Sequence, residues 1–102
     1  IYLFDFKTSN HLSYKYIIQL AAYRYMLKTI HNIEVTGVGI IKLNKQSVNF
    51  EEVMLHCSDP YDLDLLNHAE NCFHHLVYGY YERKYIEQGF KTILTKTQEG
   101  VS

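Results

Sequence analysis

The chain has 102 residues, of which 47% are apolar, enough for one small domain with a single core. No apolar run reaches the roughly 18 residues of a membrane-spanning helix, and Cys57 and Cys72 are too few for a disulfide framework, so a reducing cytoplasm is the expected setting. The formal net charge of −1 hides a polarity: the first half carries Lys7, Lys15, Arg24, Lys28, Lys42 and Lys45 against Asp5 and Glu34 only, and the second half is acidic. A basic half suits a polyanionic partner, although an unevenly charged solvated surface gives the same count.

The chain opens on Ile1 rather than Met, and directly in an apolar run, as expected of a piece of a longer protein. Residues 1–7 read as a strand with Tyr2, Phe4 and Phe6 on one face. Residues i and i+2 of a strand share a face, so Asp5 and Lys7 stand side by side above Leu3. Residues 8–12 form a polar loop. Ser13 is the expected N-cap of a helix running to about His31. Its apolar stripe is Tyr16, Leu20, Tyr23, Leu27 and Ile30, and Gln19 and Tyr23 lie one turn apart. Asn32 suits the left-handed conformation that ends a helix.

Val35 to Leu43 is rich in β-formers, with Gly37 and Gly39 marking a bulge or a close approach. Asn44-Lys45-Gln46 reads as a hairpin turn, and Val48 to His56 as the return strand with Phe50 and Val53 inward. Asp59 and Pro60 have the form of an N-cap and a first helical residue. The helix they open is expected to bury Leu66, Ala69, Phe73, Leu76 and Tyr80 and to stop at Gly89, with Gly79 a weak point or close-packing site. Residues 90–102 are left as a tail or one short extra strand. The order β-α-β-β-α predicts an α+β fold, one mixed sheet packed by helices.

Two constellations have metal-binding or catalytic residue types. His68, Cys72 and His75 share one face of the second helix, but no fourth ligand has suitable spacing for zinc, and ordinary surface residues explain them. The tyrosines Tyr78, Tyr80, Tyr81 and Tyr85 could stack on bases; packing with a polar tip at the surface is the commoner use. The second constellation is more specific. A strand delivering Asp5-Phe6-Lys7-Thr8-Ser9, then a helix carrying Gln19-Leu20-Ala21-Ala22-Tyr23, resembles the PD-(D/E)XK nuclease superfamily, in particular its RecB-like and phage-type exonucleases. The match covers about a quarter of the chain.

The resemblance implies that residues 1–89 are the C-terminal part of a restriction-endonuclease-like core whose N-terminal elements lie upstream. It implies a DNA nuclease dependent on Mg²⁺ or Mn²⁺, an exonuclease of phage or recombination-repair type. Asp5 and the backbone carbonyl of Phe6 would bind the metal. Lys7 would orient or activate the attacking water, or stabilise phosphate charge. Gln19 and Tyr23 would contact substrate, with Thr8 beside them. Mg²⁺ takes oxygen ligands and can polarise a phosphate. The family's other acidic ligand belongs on a preceding strand that these residues do not include, so the chain alone is expected to be inactive. No iron–sulfur cluster is expected from two cysteines. The rival expectation is a non-catalytic nucleic-acid-binding or protein-interaction domain that keeps the same fold. An acidic residue on a strand just before Ile1 would favour the enzyme. In either case an unpaired sheet edge is expected to recruit a second copy.

Overall fold

The computed structural model describes residues 1–8, 11–44 and 49–100. Ser9 of the strand–loop motif, Lys45 and Gln46 of the expected turn, and Val48 at the expected start of the return strand lie outside the described residues. The elements are β1 (Tyr2–Lys7), α1 (Lys15–His31), β2 (Gly37–Leu43), β3 (Phe50–His56) and α2 (Pro60–Gly100). They form an α+β structure in which a mixed sheet of order β1-β2-β3 packs against two helices. β1 runs parallel to β2, from Tyr2 opposite Gly37 to Lys7 opposite Lys42. β2 and β3 pair antiparallel, from Gly37 opposite His56 to Leu43 opposite Phe50.

Strand alternation sorts the sheet into two faces. Leu3, Asp5 and Lys7 of β1 share the α1-facing side with Val38, Ile40 and Lys42 of β2 and with Glu51, Val53 and Leu55 of β3. Leu20 and Ala21 of α1, Val35, Val38 and Ile40, Leu55, and Leu66 and Ala69 of α2 close into one buried cluster. Tyr2, Phe4 and Phe6 occupy the opposite, exposed face. There Gly37 and Gly39 provide close approach within a continuous ladder. A Cβ on Gly39 would meet the Met54 sulfur and come within 3.0 Å of the Phe4 ring, and one on Gly37 would strike the Tyr2 ring. The Tyr2 hydroxyl is 2.8 Å from His56 Nδ1 across the same face.

Several sequence expectations need correction. The N-cap of α1 is Tyr14, without a side-chain cap bond. Ser13 sits one residue earlier, where its Oγ accepts the Lys15 N–H at 3.2 Å. Of the expected α1 stripe, Leu20 is buried and Tyr16 and Leu27 are half-buried, but Tyr23 and Ile30 are exposed; Ala21, Ile17 and Ile18 complete the packed face. Phe50 and Val53 cannot both point inward, because positions three apart in a strand alternate faces. Val53 is on the helix side, Phe50 is 61% exposed on the other, and Leu55 is the inward anchor.

α2 corrects the largest expectation. It does not stop at Gly89; residues 90–100 continue the helix rather than forming a tail or strand. A glycine in a helix interior costs only about 1 kcal/mol relative to alanine. Around it stand Glu87, Gln88 and Lys91, good helix formers, and Lys91 pairs with Glu87 at 3.3 Å. Leu66 and Ala69 are buried and Phe73 half-buried, as the spacing predicts, but Leu76 is 58% and Tyr80 50% exposed. Nothing lies within 4 Å of a Cβ placed on Gly79, so it is not a close-packing site here. The distal half of α2 leaves the body of the domain. This accounts for a radius of gyration of 20.2 Å, against about 13 Å for a compact chain of this length. No described helix is long and apolar enough to cross a membrane.

The two local stop-and-start signals hold. Asn32 has φ 54° and ψ 36°; its N–H donates to the Lys28 carbonyl at 3.1 Å, and the following Ile33 N–H donates to that of Leu27 at 3.1 Å. Asp59 Oδ1 accepts the N–H groups of Tyr61 at 2.9 Å and Asp62 at 3.1 Å, satisfying two of the helix's orphan donors.

Candidate functional site

The C-terminal end of β1 presents its polar residues toward α1. Lys7 Nζ lies 2.9 Å from Asp5 Oδ2, and both side chains are about one-quarter to one-third exposed (24% and 30%). The ammonium also lies 4.5 Å from the centroid of the Tyr16 ring, a cation–π contact from the first turn of α1. The Asp5 hydrogen bond holds the Lys7 pKa above its ordinary value. The Asp5 charge and the phenols of Tyr16 and Tyr23 act in the same direction, and partial burial opposes them. Lys7 is therefore a fixed ammonium at neutral pH. That suits charge stabilisation and phosphate binding, not proton abstraction.

Tyr23 is half-exposed. It lines an open apolar groove with Leu3, Met26, Leu27, Ile30 and His31. It thus stands on the same side of β1 as Asp5 and Lys7. Gln19 is exposed and, one turn from both Tyr16 and Tyr23, belongs to the same row of α1. Thr8 is exposed just past the strand. The expected grouping of Asp5 and Lys7 with the Tyr23 side of α1 is therefore present.

Sequence reasoning missed Lys42 and Glu51. The parallel register puts Lys42 directly opposite Lys7, on the next strand and hence about 4.8 Å away across the sheet. Glu51 of β3 follows in register and reaches Lys42 Nζ at 3.8 Å. Three adjacent strands thus carry Asp5, Lys7, Lys42 and Glu51 on one edge of the helix-facing side. Each of the two lysines stands beside one carboxylate, so the four formal charges sum to zero and what the edge offers a ligand is two positioned ammonium groups.

The metal expected from the family resemblance is not accounted for by these residues. A Mg²⁺ site normally combines carboxylates with substrate phosphates in octahedral geometry. Among the described residues no three His, Cys, Asp or Glu side chains stand together to hold an ion. One oxygen of Asp5 is engaged by Lys7. Among the described residues the donors fall short of a complete Mg²⁺ or Mn²⁺ centre, and no chemical step is assigned through one. On α2, His68 Nε2 lies 3.7 Å from Asp64 and, with Cys72, borders an apolar groove formed with Tyr14, Ile17 and Leu65.

By its fold the chain is an α+β domain with a mixed three-stranded sheet, and by its site a strand–helix pair presenting an Asp–Lys couple to two tyrosines. Comparison with known proteins finds no matching family model, curated protein or solved structure.

Proposed function

We propose that this chain carries the Asp–Lys half of a DNA-nuclease site in which Lys7 binds a phosphate oxygen of the scissile phosphodiester. The observation behind this reading is the Asp5–Lys7 couple on the α1-facing side of β1, with Tyr16 and Tyr23 beside the ammonium. Electrostatic stabilisation of a phosphoryl group needs donors fixed before the substrate arrives. Asp5 fixes Lys7 from one side and the Tyr16 ring from another. Lys42, in register beside it, adds a second cation for the neighbouring phosphate. Gln19 and Tyr23 extend the row along α1, where a sugar or base would lie. Dependence on Mg²⁺ or Mn²⁺ belongs to this reading, with Asp5 and the Phe6 carbonyl contributing two ligands and the substrate phosphate and further carboxylates the rest.

The test is degradation of linear duplex and single-stranded DNA with Mg²⁺ or Mn²⁺, and with EDTA as control. The 102-residue chain should bind DNA weakly, in a manner lost on raising salt, without cutting it. A longer protein that supplies an acidic residue on an adjoining strand should cut, and Asp5→Ala or Lys7→Ala in it should abolish cutting. Binding without cutting in the longer protein would favour a non-catalytic nucleic-acid-binding domain. Full activity in the Lys7→Ala protein would remove the basis of the nuclease reading.

A further inference from the structure

The residues of α2 that begin in the domain core continue along the helix in strict 3-4 alternation. Leu66, Ala69 and Phe73 pack into the domain. Leu76, Tyr80, Arg83, Glu87, Phe90, Leu94 and Thr97 follow at the same spacing, the a/d pattern of a coiled coil. In the single chain this stripe is open to solvent: Leu76, Tyr80, Phe90 and Leu94 are 58%, 50%, 59% and 46% exposed. Ile86 and Ile93, which flank it, are 65% and 61% exposed. A helix segment with two glycines and side chains this exposed has little to hold it in water, because most helical stability comes from packing an amphipathic face.

We propose that the distal half of α2 pairs with the same segment of a second copy of this chain, antiparallel, about a two-fold axis passing near Tyr85. The only charged residues in the exposed stripe are Arg83 and Glu87, and they decide both orientation and register. In a parallel pair each would face its own copy, giving two like-charge layers. In an antiparallel pair centred on Tyr85, Arg83 of each copy faces Glu87 of the other. The same register matches the apolar layers on either side, as far as the point where Thr97 reaches the partner's domain at Phe73. Tyr80 meets Phe90, Leu76 meets Leu94, and on one flank Ile86 meets its own copy while Gly79 makes room for Ile93. A slip of one heptad in either direction instead sets Glu87 against Phe90 or against Leu76. One polar layer that specifies alignment at some cost in stability is a recognised use of buried charge in coiled coils.

The competing contacts are weak. Glu87 already holds Lys91 of its own helix at 3.3 Å, and Lys84 lies over the Tyr80 ring at 5.6 Å from its centroid; both are surface interactions that the pairing can keep. Lys84 would also approach its own copy on the outer flank, where solvent screens the repulsion. The inference does not depend on the nuclease reading, since no residue of the Asp5–Lys7 site takes part.

Charge reversal tests it on the full 102-residue chain, by sedimentation equilibrium over a range of concentrations at low and moderate salt. The wild type should be a reversible dimer. Arg83→Glu places Glu against Glu, and Glu87→Arg places Arg against Arg; each should weaken the dimer at least about tenfold. The double variant R83E/E87R restores opposite charges in the antiparallel register and should return the dissociation constant to within about threefold of wild type. Far-UV circular dichroism should show distal helix lost and regained in step with the dimer. A monomeric wild type, a dimer insensitive to both single reversals, or a double variant as weak as the singles would each overturn the proposal. The second of these would place association on another surface, such as the sheet edge.

Discussion

Leu66 is where α2 is held to the rest of the domain, and Leu66→Ala is the most direct test of the packing described above. Its side chain is fully buried, within the cluster formed by Leu20, Val35, Val38, Ile40 and Leu55. Removal of a buried leucine to alanine costs the lost transfer free energy plus a cavity term, together about 2–5 kcal/mol. A domain of this size has about 5–15 kcal/mol in total, so the loss is a large fraction of what holds it folded. At about 4–8 °C per kcal/mol, the midpoint should fall by roughly 8 °C or more. Urea titration followed by tyrosine near-UV and backbone far-UV circular dichroism measures it at a fixed protein concentration. Tyr78→Ala is the control: Tyr78 is 68% exposed on the outward face of α2, and its loss should stay within about 0.5 kcal/mol. A Leu66→Ala loss below about 1 kcal/mol would mean that α2 is not docked through this residue, and the layer arrangement would have to be redrawn.

Three further outcomes follow from particular contacts. Asp59→Ala removes the acceptor for the Tyr61 and Asp62 N–H groups and should cost about 0.5–2 kcal/mol, read by urea titration. Gly37→Ala should displace the Tyr2 ring and break its hydrogen bond to His56, a loss of about 1 kcal/mol visible as a lowered thermal midpoint. The Lys28 ammonium hydrogen-bonds Glu34 and holds its pKa below the ordinary 4.5. A depressed folded pKa contributes stability above the unfolded value that is lost as pH falls through the folded one. Wild type should therefore exceed Glu34→Gln in stability at neutral pH and converge with it below pH 4.5. A gap that persisted unchanged to pH 3 would contradict the assignment.

What the sequence discloses about this fold is local. Asn32 and Asp59-Pro60 act through bonds to residues a few positions away, so composition alone finds them. Asp5 and Lys7 share a face by strand alternation, which needs no partner. Lys42 and Glu51 were invisible for the opposite reason. They join the site only through a parallel register between β1 and β2 and an antiparallel one between β2 and β3, and neither register is written in any short stretch. Gly89 misled because a glycine stops a helix only where the backbone turns left-handed. Here it stays helical, among good helix formers.

The strand pairings also differ in how far along the chain they reach. β2 and β3 meet across separations from 19 residues down to 7, whereas every β1–β2 pair is 35 apart. Closing the longer loop costs about 1.4 kcal/mol more chain entropy than the shortest hairpin contact, and among the described residues β1, like β3, has a neighbour on one side only. The hairpin can therefore form early and β1 dock late, and in the folded protein β1 is the strand least expensive to release. Its amide protons should exchange with solvent faster than those of β2. Since Asp5 and Lys7 travel with β1, the site has a lifetime of its own, set by the opening of one edge strand rather than by global unfolding.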